Sequence, residues 1–85
     1  MRFAQIIWDD PGDPEGNVQH VADHGLTIDD VEAVLQSPAS EAVSQSTGRP
    51  CSFGFAPSGE YIIVIYEPVG DDGAYPVTAY QVPEP

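Results

Sequence analysis

The chain is predicted to fold as an α+β domain in which a helical hairpin packs on an antiparallel meander sheet. Apolar residues recur twice at helical spacing before Pro38, and after it they alternate with polar residues in short runs separated by turn signals. The predicted element order is β-α-α-β-β-β-β. Residues 1–85 are expected to form a single domain, because a chain of 85 residues builds only one modest core.

The first half of the chain predicts one strand and one helix. Residues 3–8 form an apolar, β-rich run that ends at a Pro-Gly turn. The helix is expected to start with Asp13 as its cap and Pro14 in its first turn. It should end at Gly25 in the left-handed conformation, with Leu26 packing back on the helix. Its apolar stripe consists of Val18, Val21 and Ala22.

The second helix has a clear start and a clear end. Thr27 is the predicted cap, and Asp30 stands three residues later in the position of a capping box. Pro38 ends the helical pattern. The two helices are expected to pack as a hairpin and to bury their stripes on one face of the sheet. The stripe of the second helix consists of Ile28, Val31, Val34 and Leu35.

The second half of the chain predicts four strands. Residues 41–46 are a weak strand candidate, and residues 61–66 are apolar on both faces, which is typical of a central strand covered on both sides. Residues 75–82 form the last strand, in which Pro76 indicates an edge or a strand start. The remaining strand alternates, and its predicted buried face carries Cys51, Phe53 and Phe55.

Charge is the strongest bias of the composition. The chain holds 14 Asp and Glu against two Arg and no Lys, which gives a net charge of −12. Such a field repels phosphate backbones and anionic lipids, so we expect no strong nucleic-acid binding and no membrane role. The chain has no signal-peptide pattern and a single cysteine, and a cytoplasmic protein is expected. The acidic residues are spread along the chain, which favours a solvated shell, with a basic partner or a high-salt cytoplasm as alternatives.

Five short motifs stand along the chain: Trp8-Asp9, Asn17 leading to His24-Gly25-Leu26-Thr27, Asp29-Asp30-Val31, Gly54 before Gly59, and the strand from Ile62 to Tyr66. In these motifs the chain resembles the BrnT family, which are RelE-like toxins of bacterial type II toxin–antitoxin systems. The resemblance covers nearly the whole chain and also includes the element order. It implies a RelE-like fold and an mRNA endoribonuclease that a DNA-binding antitoxin neutralises.

The charge of this chain departs from what that activity needs. RNA cleavage requires a base, an acid and cations for the developing phosphorane charge, and the strands after the helices offer only Arg49. We therefore expect an acidic, degenerate member with weak or lost ribonuclease activity. If any cleft remains, His24, Arg49 and Tyr80 are the expected catalytic residues. The alternative is a non-enzymatic module whose partner is a basic protein or an antitoxin-like chain.

The other candidate sites have simpler structural explanations. His20 and His24 stand four apart on the first helix and could share a metal ion, but spacing supplies no third ligand, so no metal is expected. Arg49 is expected to form an ion pair with one of the many acids. Tyrosine side chains are expected at the core or its rim, with Tyr80 the more exposed one. No phosphate-binding loop occurs, so no cofactor is expected either.

Overall fold

Four strands that follow one another along the chain form most of the sheet. In the computed structural model, which describes residues 2–85, these strands are β2 (Ser40–Val43), β3 (Pro50–Phe55), β4 (Tyr61–Val69) and β5 (Gly73–Gln81). Each pairs antiparallel with the next. The predicted meander is therefore confirmed.

The first strand, β1 (Gln5–Ile6), joins the opposite side of this meander. It runs parallel to β5, with Gln5 opposite Gly73 and Ile6 opposite Ala74. The strand order is β1-β5-β4-β3-β2, and the sheet is mixed rather than wholly antiparallel. The predicted strand over residues 3–8 is thus reduced to two paired residues, and within residues 2–85 most of β5 beyond Ala74 pairs with no strand on that side.

The first helix, α1 (Asn17–Asp23), begins later than its sequence predicts. Its N-cap is Gly16, which makes no side-chain capping bond. Asp13 instead accepts a hydrogen bond from the Glu15 N–H at 2.9 Å, within a turn that precedes the helix. The predicted start at Asp13 was wrong because an aspartate before proline serves a turn equally well.

The junction between the helices is built as predicted. Gly25 has a φ of +79°, a conformation that side chains disfavour. Its N–H donates to the Ala22 carbonyl at 2.9 Å, and the Leu26 N–H donates to the Val21 carbonyl at 3.0 Å. These two hydrogen bonds close the C-terminal end of α1, and Leu26 is buried behind them.

The second helix, α2 (Ile28–Gln36), carries the predicted capping box. The Asp30 N–H donates to Thr27 Oγ1 at 3.2 Å, and the Thr27 N–H donates to Asp30 Oδ2 at 3.1 Å. The helix stops at Gln36, just before Pro38. Both ends of α2 therefore follow from local sequence.

Both helices cover the same face of the sheet. α1 packs against β5, and α2 packs against β3 and β4, so the two helices lie beside each other on different strands. The core lies between this helical layer and the sheet. It consists of Val21, Leu26, Val31, Val34, Leu35, Ala56, Ile62, Val64, Tyr66, Ala74 and Ala79.

The strand faces differ from the prediction at β3. A Cβ atom at Gly54 would lie 3.4 Å from Cγ1 of Val34, so position 54 faces α2. Because strand side chains alternate, Phe53 and Phe55 point to the other face. Cys51 is buried there, but Phe55 is 57% exposed, so the prediction that all three are buried was wrong.

The central strand β4 is also covered on one face only. Ile62 and Val64 are fully buried under the helices. Ile63 and Ile65 are only half-buried on the other face, where no helix of the described residues packs. The prediction of cover on both sides was wrong, and the sheet keeps an open, apolar face.

Candidate functional site

Two of the three predicted catalytic residues lie side by side. The His24 and Tyr80 rings are tilted by 50°, with 5.8 Å between their centroids. His24 is the C-cap of α1, and Tyr80 lies on β5, the strand that α1 covers. Both side chains are exposed, so this pair is open to a ligand.

Arg49 lies elsewhere and is engaged. Its Nη2 atom lies 2.9 Å from Oε1 of Glu67, and its Nε–H donates to the same oxygen at 3.0 Å. Tyr80 is opposite Ile63 in the sheet, and Glu67 stands four residues further along β4, which is about 13 Å of strand. The structure therefore brings His24 and Tyr80 together but holds Arg49 away from them.

The second arginine of the chain is ion-paired as well. Arg2 forms a salt bridge with Glu41, and its guanidinium lies 3.5 Å from the Tyr66 hydroxyl. The same guanidinium lies over the Phe3 ring, 4.8 Å from the centroid. Since both arginines pair with glutamates, neither side chain offers an unpaired guanidinium to a phosphate.

The candidate metal ligands do not form a cluster. His20 is exposed one turn before His24 on α1. Within residues 2–85, no group of three or more His, Cys, Asp or Glu side chains has a geometry that could hold a metal ion. Cys51 is a free, buried thiol, and burial raises its pKa, which favours the unreactive protonated form.

The sequence analysis placed Asn17 in a motif but missed its role as a buried side chain with three hydrogen bonds. Asn17 is 2% exposed, and its Nδ2 group donates to the carbonyls of Ile7 at 3.1 Å and Pro76 at 2.9 Å. Its Oδ1 atom accepts from the Asp9 N–H at 2.8 Å. This amide ties the end of β1, the start of α1 and β5 together. The available signal was an amide in the first turn of a helix, on the face that its apolar stripe buries.

A carboxylate and a tyrosine extend the network around Asn17. The Tyr75 hydroxyl donates to Asp9 Oδ2 at 2.6 Å, and the Asn17 N–H donates to the same oxygen at 2.9 Å. The Tyr75 hydrogen bond, followed by that backbone bond, lowers the pKa of Asp9. The bond to Asp9, together with burial and nearby negative charge, raises the pKa of Tyr75. Every partner in this network is internal, which indicates a structural role.

The open face of the sheet carries a cluster of rings. Tyr61 stacks against Phe53, with 6.4 Å between centroids and 20° between planes. Phe55 meets Tyr61 edge-on at 5.0 Å and 63°. Tyr80 lies two strands away, opposite Ile63, on the same face. We refer to Phe53, Phe55, Tyr61 and Tyr80 as the aromatic face.

A groove separates the two helices on the outer side of the molecule. Its cavity volume is about 380 Å³. None of the predicted catalytic residues lines it. The lining residues are Val18, Ala22, Leu26, Thr27, Ile28 and Asp29.

The chain was compared with protein families, curated proteins and solved structures. No protein-family model, no curated protein and no solved structure matches the chain. Within residues 2–85, no helix has the length and apolar character needed to cross a membrane. The class defined by fold and site is therefore a small α+β domain with a helical layer on one sheet face and an aromatic cluster on the other.

Proposed function

We propose that this chain is a toxin-fold protein of the BrnT/RelE-like type that binds a basic, antitoxin-like protein and has weak or lost ribonuclease activity. One observation carries the proposal: both arginines are ion-paired with glutamates in a chain of net charge −12. RNA binding needs several unpaired cations to neutralise phosphates, whereas binding of a basic protein needs an excess of negative charge, which this chain has.

The architecture supports the toxin-fold part of the proposal. A short first strand, two helices joined at His24-Gly25, and an antiparallel meander follow one another in the order that the resemblance implies. The same resemblance makes a small DNA-binding antitoxin the expected kind of partner. A DNA-binding protein carries a basic surface, and attraction between that surface and the acidic chain would speed their association.

The candidate catalytic residues support weak or lost chemistry. The His24 and Tyr80 pair offers one group for proton transfer and one ring for stacking. The cation that would stabilise a phosphorane is missing from this pair, because Arg49 binds Glu67 about 13 Å along the strand. Acid–base catalysis alone contributes roughly 10²–10⁴-fold, so only slow cleavage is expected.

The test measures binding of a lysine-rich peptide and a single-stranded RNA of equal length to the purified chain. The peptide is expected to bind at low salt, with an affinity that falls steeply as salt rises, and the RNA is expected to bind no more than weakly and to be cut slowly or not at all. Tight RNA binding, or failure of the peptide to bind, would contradict the proposal.

A second candidate function is an active ribonuclease, which the His24 and Tyr80 contact favours. Growth of cells that express the chain distinguishes it from the first. Strong arrest that disappears in His24→Ala, and persists in the exposed neighbour variant His20→Ala, would establish toxin chemistry and remove the main proposal.

A further inference from the structure

We infer that the aromatic face of the sheet docks an arginine-bearing segment of the basic partner, with guanidinium groups lying against its rings. The inference rests on the proposed function, since it names the surface and the residue type through which a basic protein would bind. It follows from the exposure, the arrangement and the charge of that face, taken in turn.

The aromatic face is exposed although it is made of large apolar side chains. Phe55 is 57% exposed and Tyr80 is 36% exposed. Phe53, Ile63 and Ile65 are half-buried between them. Both helices pack against the other face of the sheet, although the His24 ring at the end of α1 meets the Tyr80 ring. A contiguous exposed apolar patch of this kind is typical of an interaction surface.

The rings are held in place before any partner arrives. Tyr61 is only 8% exposed, and it supports Phe55 edge-on and Phe53 by stacking. All of them stand on paired strands rather than on loops. A rigid aromatic surface loses little conformational entropy on binding, so its contacts translate efficiently into affinity.

The charge around the aromatic face selects a cationic occupant. The paired strand positions that carry the rings have no charged neighbour on their face until Glu67, which is ion-paired with Arg49. The chain as a whole carries a net charge of −12. The π-faces of aromatic rings attract cations, and acidic groups around them add to that attraction.

Arginine fits this surface better than lysine does. Its guanidinium is planar, is weakly hydrated and stacks on aromatic rings, whereas a lysine ammonium is a strongly hydrated point charge. The fold already contains one such contact, in which the Arg2 guanidinium lies 4.8 Å from the Phe3 ring centroid. A partner arginine would repeat this geometry on Phe55 and Tyr80.

Charge also argues against the two other occupants. A second copy of the chain would bring two molecules of net charge −12 together, and both arginines of each are already paired with glutamates. RNA bases could stack on the rings, but their phosphates would enter a field of the same sign. Both occupants remain distinguishable outcomes of the experiment.

The experiment titrates the full chain with an arginine-rich peptide and a lysine-rich peptide of equal length and charge, followed by NMR of the aromatic side chains. The arginine peptide is expected to bind about 3- to 10-fold more tightly, with the largest shifts at Phe55 and Tyr80. Phe55→Ala should remove most of that preference and leave the lysine peptide almost unaffected. The matched control is Val43→Ala, since Val43 is 65% exposed and lies outside the aromatic face.

Each other outcome overturns the inference in a recognisable way. Equal binding of both peptides, with shifts spread over the acidic loops, would show that the aromatic face is not the binding surface, and the proposed function would still stand. Failure of both peptides to bind would remove the proposed function itself. Self-association in sedimentation that Phe55→Asp abolishes would assign the face to a second copy, and shifts of the rings with single-stranded RNA would assign it to nucleic acid. Tyr80→Ala provides a second variant if Phe55→Ala alters the amide spectrum of the fold.

Discussion

Asn17 holds the first strand, the first helix and the last strand together through one side chain. Its Nδ2 group reaches two backbone carbonyls, and its Oδ1 atom accepts from the Asp9 N–H. The side chain is almost fully buried, so water cannot replace these bonds. A buried polar group that loses its partner destabilises the fold by more than the net stabilisation that a typical hydrogen bond provides. The stability of the fold is therefore sensitive to substitution of Asn17.

Asn17→Ala is therefore expected to lower the free energy of unfolding by about 2–4 kcal/mol. The loss arises because the carbonyls of Ile7 and Pro76 and the N–H of Asp9 would lose their partner. Urea denaturation measures it. Gln19→Ala is the matched control, because this exposed amide makes one bond, to the Pro11 carbonyl, and should cost no more than about 0.5 kcal/mol. Equal effects of the two variants would contradict the role of Asn17.

The Asp9 and Tyr75 pair predicts a pH dependence with two limits. The pKa of Asp9 is lowered from 3.8, so its contribution to stability is present above that value and is lost as pH falls through the lowered pKa. The pKa of Tyr75 is raised from 10.0, so its contribution is present below that value and is lost as pH rises through the raised pKa. The hydrogen bond between them should stabilise the fold most between these limits.

Tyr75→Phe tests this dependence. The difference in free energy of unfolding between the natural chain and this variant should be constant between about pH 5 and about pH 9 and should shrink below and above that range. Denaturation at a series of pH values measures it. Tyr80→Phe, which removes an exposed hydroxyl from the same strand, serves as the control. A difference that does not change with pH would show that the carboxylate does not accept this bond in solution.

Among the elements, α2 has the strongest sequence signal for where it begins. Thr27 and Asp30 satisfy each other's backbone N–H groups, and Leu26 is buried directly before them. These bonds fix where the helix begins and the angle at which the chain enters it. The position of α2 over β3 and β4 depends on that angle.

Thr27→Ala should lower the free energy of unfolding by about 1 kcal/mol, because the Asp30 N–H loses its acceptor. Thr27→Ser keeps the hydroxyl and should restore most of the loss. Thermal unfolding measures both variants, with an expected decrease of roughly 4–8 °C for the alanine variant. If serine and alanine behaved alike, the cap would not contribute to stability.

Local signals predicted the elements and both ends of α2, but they did not predict the start of α1 or the buried face of β3. Asp13 before Pro14 has the chemistry of a helix cap, yet α1 starts at Asn17 because the Asp9 carboxylate binds the Asn17 N–H. In β3 the alternation was read correctly, and the choice of buried face was wrong. Gly54 lies on the face towards α2, where a Cβ would be 3.4 Å from Val34, and this leaves the other face to Phe53 and Phe55. Both outcomes depend on contacts between distant residues, which no local pattern contains.

The candidate site also divides into features that local sequence predicted and features that depend on contacts between distant residues. Sequence selected His24 as the helix end and Tyr80 as the exposed tyrosine, and the structure places the two rings together. The aromatic face was not predicted, because Phe53 and Phe55 were assigned to the core. The distance of Arg49 from His24 depends on strand register, which the turn residues alone do not determine.

At the scale of the whole molecule, uncompensated negative charge is the dominant electrostatic feature. Two exposed ion pairs, Arg2 with Glu41 and Arg49 with Glu67, engage both arginines, and the other acidic groups repel one another. Exposed pairs contribute at most about 1 kcal/mol each, and salt weakens them. Repulsion among the many remaining carboxylates acts in the opposite direction and is also screened by salt.

Because repulsion involves more groups than attraction, added NaCl should stabilise this protein. Between about 20 mM and about 0.5 M, we expect the free energy of unfolding to rise by about 1 kcal/mol and the melting temperature by roughly 4–8 °C. Thermal unfolding at constant pH 7 measures the effect, and repetition near pH 4.1, where the net charge approaches zero, is the control. The rise should nearly vanish there if repulsion causes it, whereas an equal rise at both pH values would identify stronger apolar burial as the cause. A decrease with salt at pH 7 would mean that the ion pairs outweigh the repulsion, and the acidic surface would then be a stabilising network rather than a surface awaiting a basic partner.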